Sequence, residues 1–128
     1  MEKKIISTAA FLGMTAIVLG AFGAHALKKF LSADQLISFE TGVKYQMYHA
    51  LFILFLGPIT SISEKAKKRV FQMIVLGIIF FSGSIYLLTT KAISGIDFKF
   101  LGIITPIGGT LLIVGWTLFL WNILNKKG

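Results

Sequence analysis

The chain has 128 residues, enough for one domain and no more. Hydrophobic residues make up 55% of it and charged residues 14%, against roughly a quarter charged in an average soluble domain, which excludes a disordered tail, a coiled coil and an ordinary water-soluble enzyme. The absence of cysteine excludes disulfide frameworks, thiolate zinc sites, iron–sulfur clusters and covalent c-type haem attachment, and the formal net charge of +8 must first be placed relative to a membrane.

Four apolar runs follow one another, over residues 5–27, 45–62, 70–90 and 102–124. Each falls within the roughly 17–25 residues that cross a bilayer as a helix. Backbone groups in lipid must pair internally, so the expected fold is an all-α bundle of four transmembrane helices in a single integral membrane domain, residues 1–128.

The first run carries Ala9, Gly13, Ala16, Gly20 and Gly23 at steps of three and four. Small residues on one face let helix backbones approach closely in lipid. Packing within the bundle is the ordinary use of such a stripe, and a homodimer seam is the sharper one. Lys3, Lys4 and the later Ala24-His25-Ala26 imitate a secretory signal with its cleavage site, but the apolar run is longer than the usual signal core of about 7–15 residues.

The connection 28–44 holds a capping box, Ser32 with Gln35, flanked by Leu31 and Leu36 as a hydrophobic staple. Leu36, Phe39 and Val43 then recur at helical spacing. This predicts a short amphipathic helix over about 32–43, lying at the membrane interface and ended or bent at Gly42.

The remaining loops, 63–69 and 91–101, are short and polar, so consecutive helices should be antiparallel neighbours. Gly77, Gly83, Gly108, Gly109 and Gly115 give the third and fourth helices further close-approach sites. Lys3, Lys4, Lys65, Lys67, Lys68, Arg69, Lys126 and Lys127 fall on one side, and Lys28, Lys29, Lys44, Lys91 and Lys99 on the other. The bias puts both termini and the 63–69 loop in the cytoplasm. The positive charge then reads as topology and attraction to lipid headgroups, with no nucleic-acid partner.

No Asp, Glu, Lys or Arg lies within these spans, so the usual carriers of ion coupling are missing. No catalytic constellation can be assembled, and the expectation is a protein that is not an enzyme. Among the polar side chains inside the spans, His25, Tyr45, Gln46, His49, Ser82, Ser84, Tyr86 and Thr105 stand out as candidate site residues. Counted along the four spans, all of them fall toward the outer leaflet, with His25 and His49 at nearly one depth. They form either a pocket or an aromatic belt with self-satisfied serines and histidines.

Four motifs occur in order: Gly20-Ala21-Phe22-Gly23-Ala24-His25-Ala26-Leu27, Tyr45-Gln46-Met47-Tyr48-His49-Ala50-Leu51, Phe81-Ser82-Gly83-Ser84-Ile85-Tyr86, and Thr105-Pro106-Ile107-Gly108-Gly109 with Gly115-Trp116. In these the chain resembles the small bacterial membrane proteins of domain-of-unknown-function family 423, also called uncharacterised protein family 0382, relatives of transmembrane protein 256. The resemblance implies a four-helix, multi-pass plasma-membrane protein. It implies no activity and lends no site residue.

Three classes of function follow from the residues. The first is a non-enzymatic protein acting by association with itself, lipid or a membrane complex. The second is a binder of a lipid-like, quinone-like or haem ligand at the histidines and tyrosines, although the sequence requires no cofactor and offers a poor closed metal site. The third is a small-solute pore or carrier lined by Ser82, Ser84 and Thr105.

Overall fold

A computed structural model describes residues 1–90, 95 and 100–125. Among these the regular structure is helical, in four long helices: α1 Glu2–Leu27, α2 Ala33–Leu56, α3 Glu64–Thr89 and α4 Leu101–Leu124. α1, α3 and α4 are long and apolar enough to cross a membrane. α2 is as long as α4, but Asp34, Glu40, Lys44, Tyr45, Gln46, Tyr48 and His49 dilute its apolar character.

α2 differs from the expectation at both ends. An interfacial helix over 32–43 and a separate span over 45–62 are replaced by one unbroken helix, Ala33–Leu56. It starts at the expected capping box. The Ser32 side chain accepts from the Gln35 N–H at 3.2 Å, and the Gln35 side chain accepts from the Ser32 N–H at 2.9 Å. Gly42 does not end it. Mid-helix glycine costs about 0.5–1 kcal/mol relative to alanine, but here a Cβ would stand 2.9 Å from the Tyr86 ring, so the bare backbone is what admits α3. The helix stops at Leu56 because Gly57 is followed by Pro58, which has no N–H to continue the ladder.

α3 starts at Glu64, six residues before its apolar run. The Ser63 hydroxyl caps it by accepting from the Ala66 N–H at 3.1 Å. Lys65, Lys67, Lys68 and Arg69 therefore belong to its first two turns. Lys67 is buried, and its Nζ donates to the Gly57 carbonyl at 3.0 Å and to Glu64 at 3.3 Å. A lysine ammonium thus satisfies a carbonyl at the C-terminal end of α2, where the helix dipole favours a cation. Lys91, Lys99, Lys126 and Lys127, also used in the charge count, lie outside the described residues, as does most of the 91–101 connection.

Successive helices pack antiparallel. Gly57 meets Ile5 and Ile6 while Gly23 meets Phe39, which aligns α1 with α2. Lys67 with Gly57 and Ser82 with Gly42 align α2 with α3. Gly77 with Leu112 and Gly115 with Ile74 align α3 with α4. The main apolar core lies toward the end of the bundle that holds Ile5, Ile53, Leu56, Val70 and Ile74, all fully buried.

Two segments open into wider π-helical turns, Val18–Gly23 in α1 and Ile79–Gly83 in α3. They flank α2 at one level: Gly20 faces Val43, and Ser82 bonds the Gly42 carbonyl. Nothing in the helical periodicity announces them.

Of the expected packing residues, Ala9 and Ala16 are buried and Gly20 and Gly23 face α2. At Gly108 a Cβ would run into the backbone of Phe80 and Phe81, whereas at Gly109 it would meet the Phe81 ring at an ordinary 3.6 Å. Gly13 departs from the expectation, since a Cβ there would meet nothing within 4 Å.

Candidate functional site

Gln46 is the junction of three helices. Fully helical α2 places it on the inner face, 4% exposed. Its Nε2 donates to the Leu12 carbonyl at 2.9 Å and to Thr15 Oγ1 at 2.8 Å on α1, and its Oε1 accepts from the Tyr86 hydroxyl of α3 at 2.7 Å. A carboxamide suits this place because it is donor and acceptor at once without charge. Thr15 was not picked out by sequence reasoning. The available signal was its being the one hydroxyl between Ala9 and Gly20 on a small-residue stripe.

Serines and threonines make the other rungs. Ser82 donates to the Gly42 carbonyl at 2.7 Å, joining α3 to α2 at the wide turn. Ser84 and Thr105 share a short hydrogen bond between α3 and α4, and Thr105 donates to Leu101 O at 3.2 Å in its own helix. The three hydroxyls proposed as a pore lining are therefore engaged in cross-links. Among the described residues no buried side-chain polar atom lacks a partner.

His49 belongs to a separate pair. Its Nδ1 lies 2.7 Å from the Tyr45 carbonyl, and the Trp116 indole N–H donates to its Nε2 at 3.0 Å. A carbonyl only accepts and an indole N–H only donates, so a neutral imidazole with its proton on Nδ1 satisfies both. Both ring nitrogens are thus committed, and ligation of iron or another metal would require giving up Trp116. Trp116, quoted above only as part of a motif, is, with Thr15, a site residue the sequence reading passed over. It also packs on Phe52, with ring centroids 4.0 Å apart.

His25 does not join His49. It is exposed near the end of α1, and its neighbour Gly23 faces Phe39. His49 is ten residues beyond Phe39, about 15 Å along the helix axis. The two were expected at one depth because α2 was started at Tyr45. Starting at Ala33, it carries His49 well past its midpoint. Among the described residues no group of three or more His, Asp or Glu is placed to hold a metal.

Tyr45, His49, Pro106, Gly109, Thr110 and Trp116 border an open groove of about 420 Å³ between α2 and α4. The eight expected site residues therefore divide among Gln46–Tyr86, Ser82, Ser84–Thr105 and Tyr45–His49–Trp116, with His25 apart. They are a ladder along the bundle and not one pocket at one level.

Apolar helices of membrane-crossing length, cross-linked by hydrogen bonds between neutral side chains, define the class: a helical membrane protein. Comparison with known proteins is more specific. The family described as "Protein of unknown function (DUF423)" matches residues 19–109, and the chain belongs to that family. It is 43% identical to a UPF0382 membrane protein of Staphylococcus saprophyticus over 114 residues, covering 89% of this chain and 91% of the relative. A UPF0382 membrane protein of Haemophilus influenzae is 34% identical over 99% of this chain and 98% of its own. A UPF0382 inner membrane protein of Escherichia coli is 33% identical over 98% and 93%. No solved structure matches the chain. The expected family is thereby shown, and with it a membrane protein whose relatives carry no named activity.

Proposed function

We propose that the chain is a four-span bundle of the bacterial plasma membrane, with both termini in the cytoplasm, that catalyses no reaction and acts by association with itself, with lipid or with a membrane complex. α2 as the fourth span is supported by chain topology. α1 and α3 are apolar and run parallel, each antiparallel to α2. If both cross, the chain must return between them, and α2 is the segment that does so. The orientation is supported by Lys3, Lys4, Lys65, Lys67, Lys68 and Arg69 at one end of the bundle, against Lys28 and Lys29 at the other.

The observation that carries the association reading is the commitment of the interior polar groups. Gln46, Tyr86, Ser82, Ser84, Thr105 and His49 are all spent on holding helices together. Chemistry directed at another molecule then falls to the outer surface. Native mass spectrometry of the protein ejected from lipid nanodiscs tests this. A multimer, a stoichiometric partner or retained lipid is expected, and a lipid-free monomer in every preparation would contradict it.

A second reading takes the α2–α4 groove as a seat for one lipid-like or quinone-like molecule. The exposed Tyr45 ring at its edge favours it, since a phenol facing hydrocarbon gains from an acceptor on a ligand. Enrichment of one amphiphile over bulk lipid, lost in Tyr45→Phe, is the expected result.

A further inference from the structure

The two ends of the bundle carry charge differently. Where α1 and α3 start, Lys3, Lys4, Lys65, Lys68 and Arg69 are all exposed. Among the described residues the ion pair at this end belongs to Lys67, which is buried and lies 3.3 Å from Glu64. The exposed cations have no anionic partner among the described residues. At the opposite end the described charges nearly balance, with Asp34 near Lys28 and Lys29, and Glu40 one turn from Lys44. Lys65, Lys68 and Arg69 are the densest part of the basic collar. Lys68 and Arg69 stand three and four residues after Lys65, so both are its neighbours on the helix surface. That surface is turned away from the buried Lys67, Val70 and Ile74.

The depth of these cations follows from the helix contacts. Gly57 meets Ile5 and Ile6 of α1, and its carbonyl accepts from Lys67 of α3, so the first turns of those two helices share one level. α4 reaches the same level at its other end. Gly115 packs on Ile74, so Trp121, six residues further on, stands level with Lys68, six residues before Ile74. Trp121 is exposed, and an exposed tryptophan at a helix end sits in the headgroup layer of a bilayer. The apolar run of α3 begins at Val70, directly after Arg69. Both observations place the three cations among lipid headgroups and not in bulk water.

We propose that Lys65, Lys68 and Arg69 form a binding site for the phosphate of an anionic phospholipid in the leaflet at that end. The ground for this occupant is charge complementarity at a fixed depth. Unpaired cations in the headgroup layer are met by lipid phosphates, and only in an anionic lipid is the phosphate not offset by an ammonium of the same molecule. The Arg69 guanidinium can offer paired N–H donors to phosphate oxygens, and the two lysine ammoniums add charge beside it. Lys3 and Lys4, level with them on α1, extend the collar. The proposal rests on the association reading above and names its lipid.

Spin-labelled lipids provide the test. Full-length protein is reconstituted in phosphatidylcholine bilayers with a trace of labelled phosphatidylglycerol or labelled phosphatidylcholine. The motionally restricted part of the electron paramagnetic resonance spectrum gives their relative affinity. Phosphatidylglycerol is expected to be preferred by at least about fivefold at low salt, the effect of one fully engaged cation. The preference should collapse at about 1 M salt, where the screening length is about 3 Å. Lys65→Gln, Lys68→Gln and Arg69→Gln together should bring the two labels to within about twofold of each other. Lys28→Gln with Lys29→Gln, at the opposite end, should leave the preference intact. The charge-retaining set Lys65→Arg, Lys68→Arg and Arg69→Lys should also keep it, which separates loss of charge from loss of fold. Equal restriction of both labels by the wild type, a preference unmoved by salt, or one that survives the triple neutralisation would overturn the site. In each of those cases a multimer or retained neutral lipid in the native mass spectrum leaves the association reading standing, and a lipid-free monomer removes both.

Discussion

Replacing Gln46 by leucine keeps nearly the same volume in the centre of the bundle and removes three interhelical hydrogen bonds, to Leu12 O, Thr15 Oγ1 and the Tyr86 hydroxyl. Interhelical hydrogen bonds in bilayers average about 0.6 kcal/mol and reach about 1.7. The losses differ in kind. Thr15 keeps its own bond to Phe11 O, so the α1 side loses only attraction. The Tyr86 hydroxyl loses its 2.7 Å acceptor, and a poorly satisfied buried donor costs about 1–3 kcal/mol. Together Gln46→Leu should destabilise the fold by about 2–4 kcal/mol. Reversible unfolding in mixed micelles, followed by helical circular dichroism against increasing denaturing detergent, measures it. Tyr86→Phe alone should cost about 1 kcal/mol, and adding it to Gln46→Leu should cost nothing more, because the phenol then has no acceptor to miss. A Gln46→Leu protein within about 0.5 kcal/mol of wild type, or strict additivity of the pair, would refute the reasoning.

The same unfolding assay reads the remaining predictions. Gly108→Ala should cost at least about 3 kcal/mol, because its Cβ meets the α3 backbone, which cannot move aside like a side chain, while Gly109→Ala stays within about 1 kcal/mol. Gly13→Ala should be neutral or stabilising by up to about 1 kcal/mol, since the position is open and alanine is the better helix former. Lys67→Met should lose about 1.5–3 kcal/mol with the ammonium bond to Gly57 O, and a variant as stable as wild type would remove that cap from the account. His49→Leu and Trp116→Phe should be coupled by about 0.5–1.5 kcal/mol in a double-mutant cycle, and an uncoupled pair would mean that the imidazole–indole bond does not hold.

The helices and the family were legible because hydrophobic run length and ordered motifs are local properties. The capping box at Ser32 was legible for the same reason, and it was the better guide to α2 than hydropathy. Hydropathy started the span at Tyr45, where the apolar residues become dense, although the helix ladder had been running since Ala33. That one displaced boundary had three consequences. It produced a separate interfacial helix, it put His25 and His49 at one level, and it left Glu40 and Lys44 outside a helix they share. What the sequence concealed was register between helices. Thr15 and Tyr86 are 31 and 40 residues from their hub, Gln46, and Trp116 is 67 residues from His49. Each reads singly as belt or packing material until the helices are docked. The wide turns at Val18–Gly23 and Ile79–Gly83 depend on that docking too.

The central claim is that α2 crosses the membrane between two parallel apolar helices. Cysteines introduced singly at Lys29, before α2, and at Ser61, after it, occupy exposed positions at its two ends. A membrane-impermeant maleimide applied to intact cells should label Lys29→Cys. It should reach Ser61→Cys, and Lys3→Cys beside it, only after permeabilisation. Labelling of Lys29→Cys and Ser61→Cys from the same side would mean that α2 does not cross, and would contradict the account.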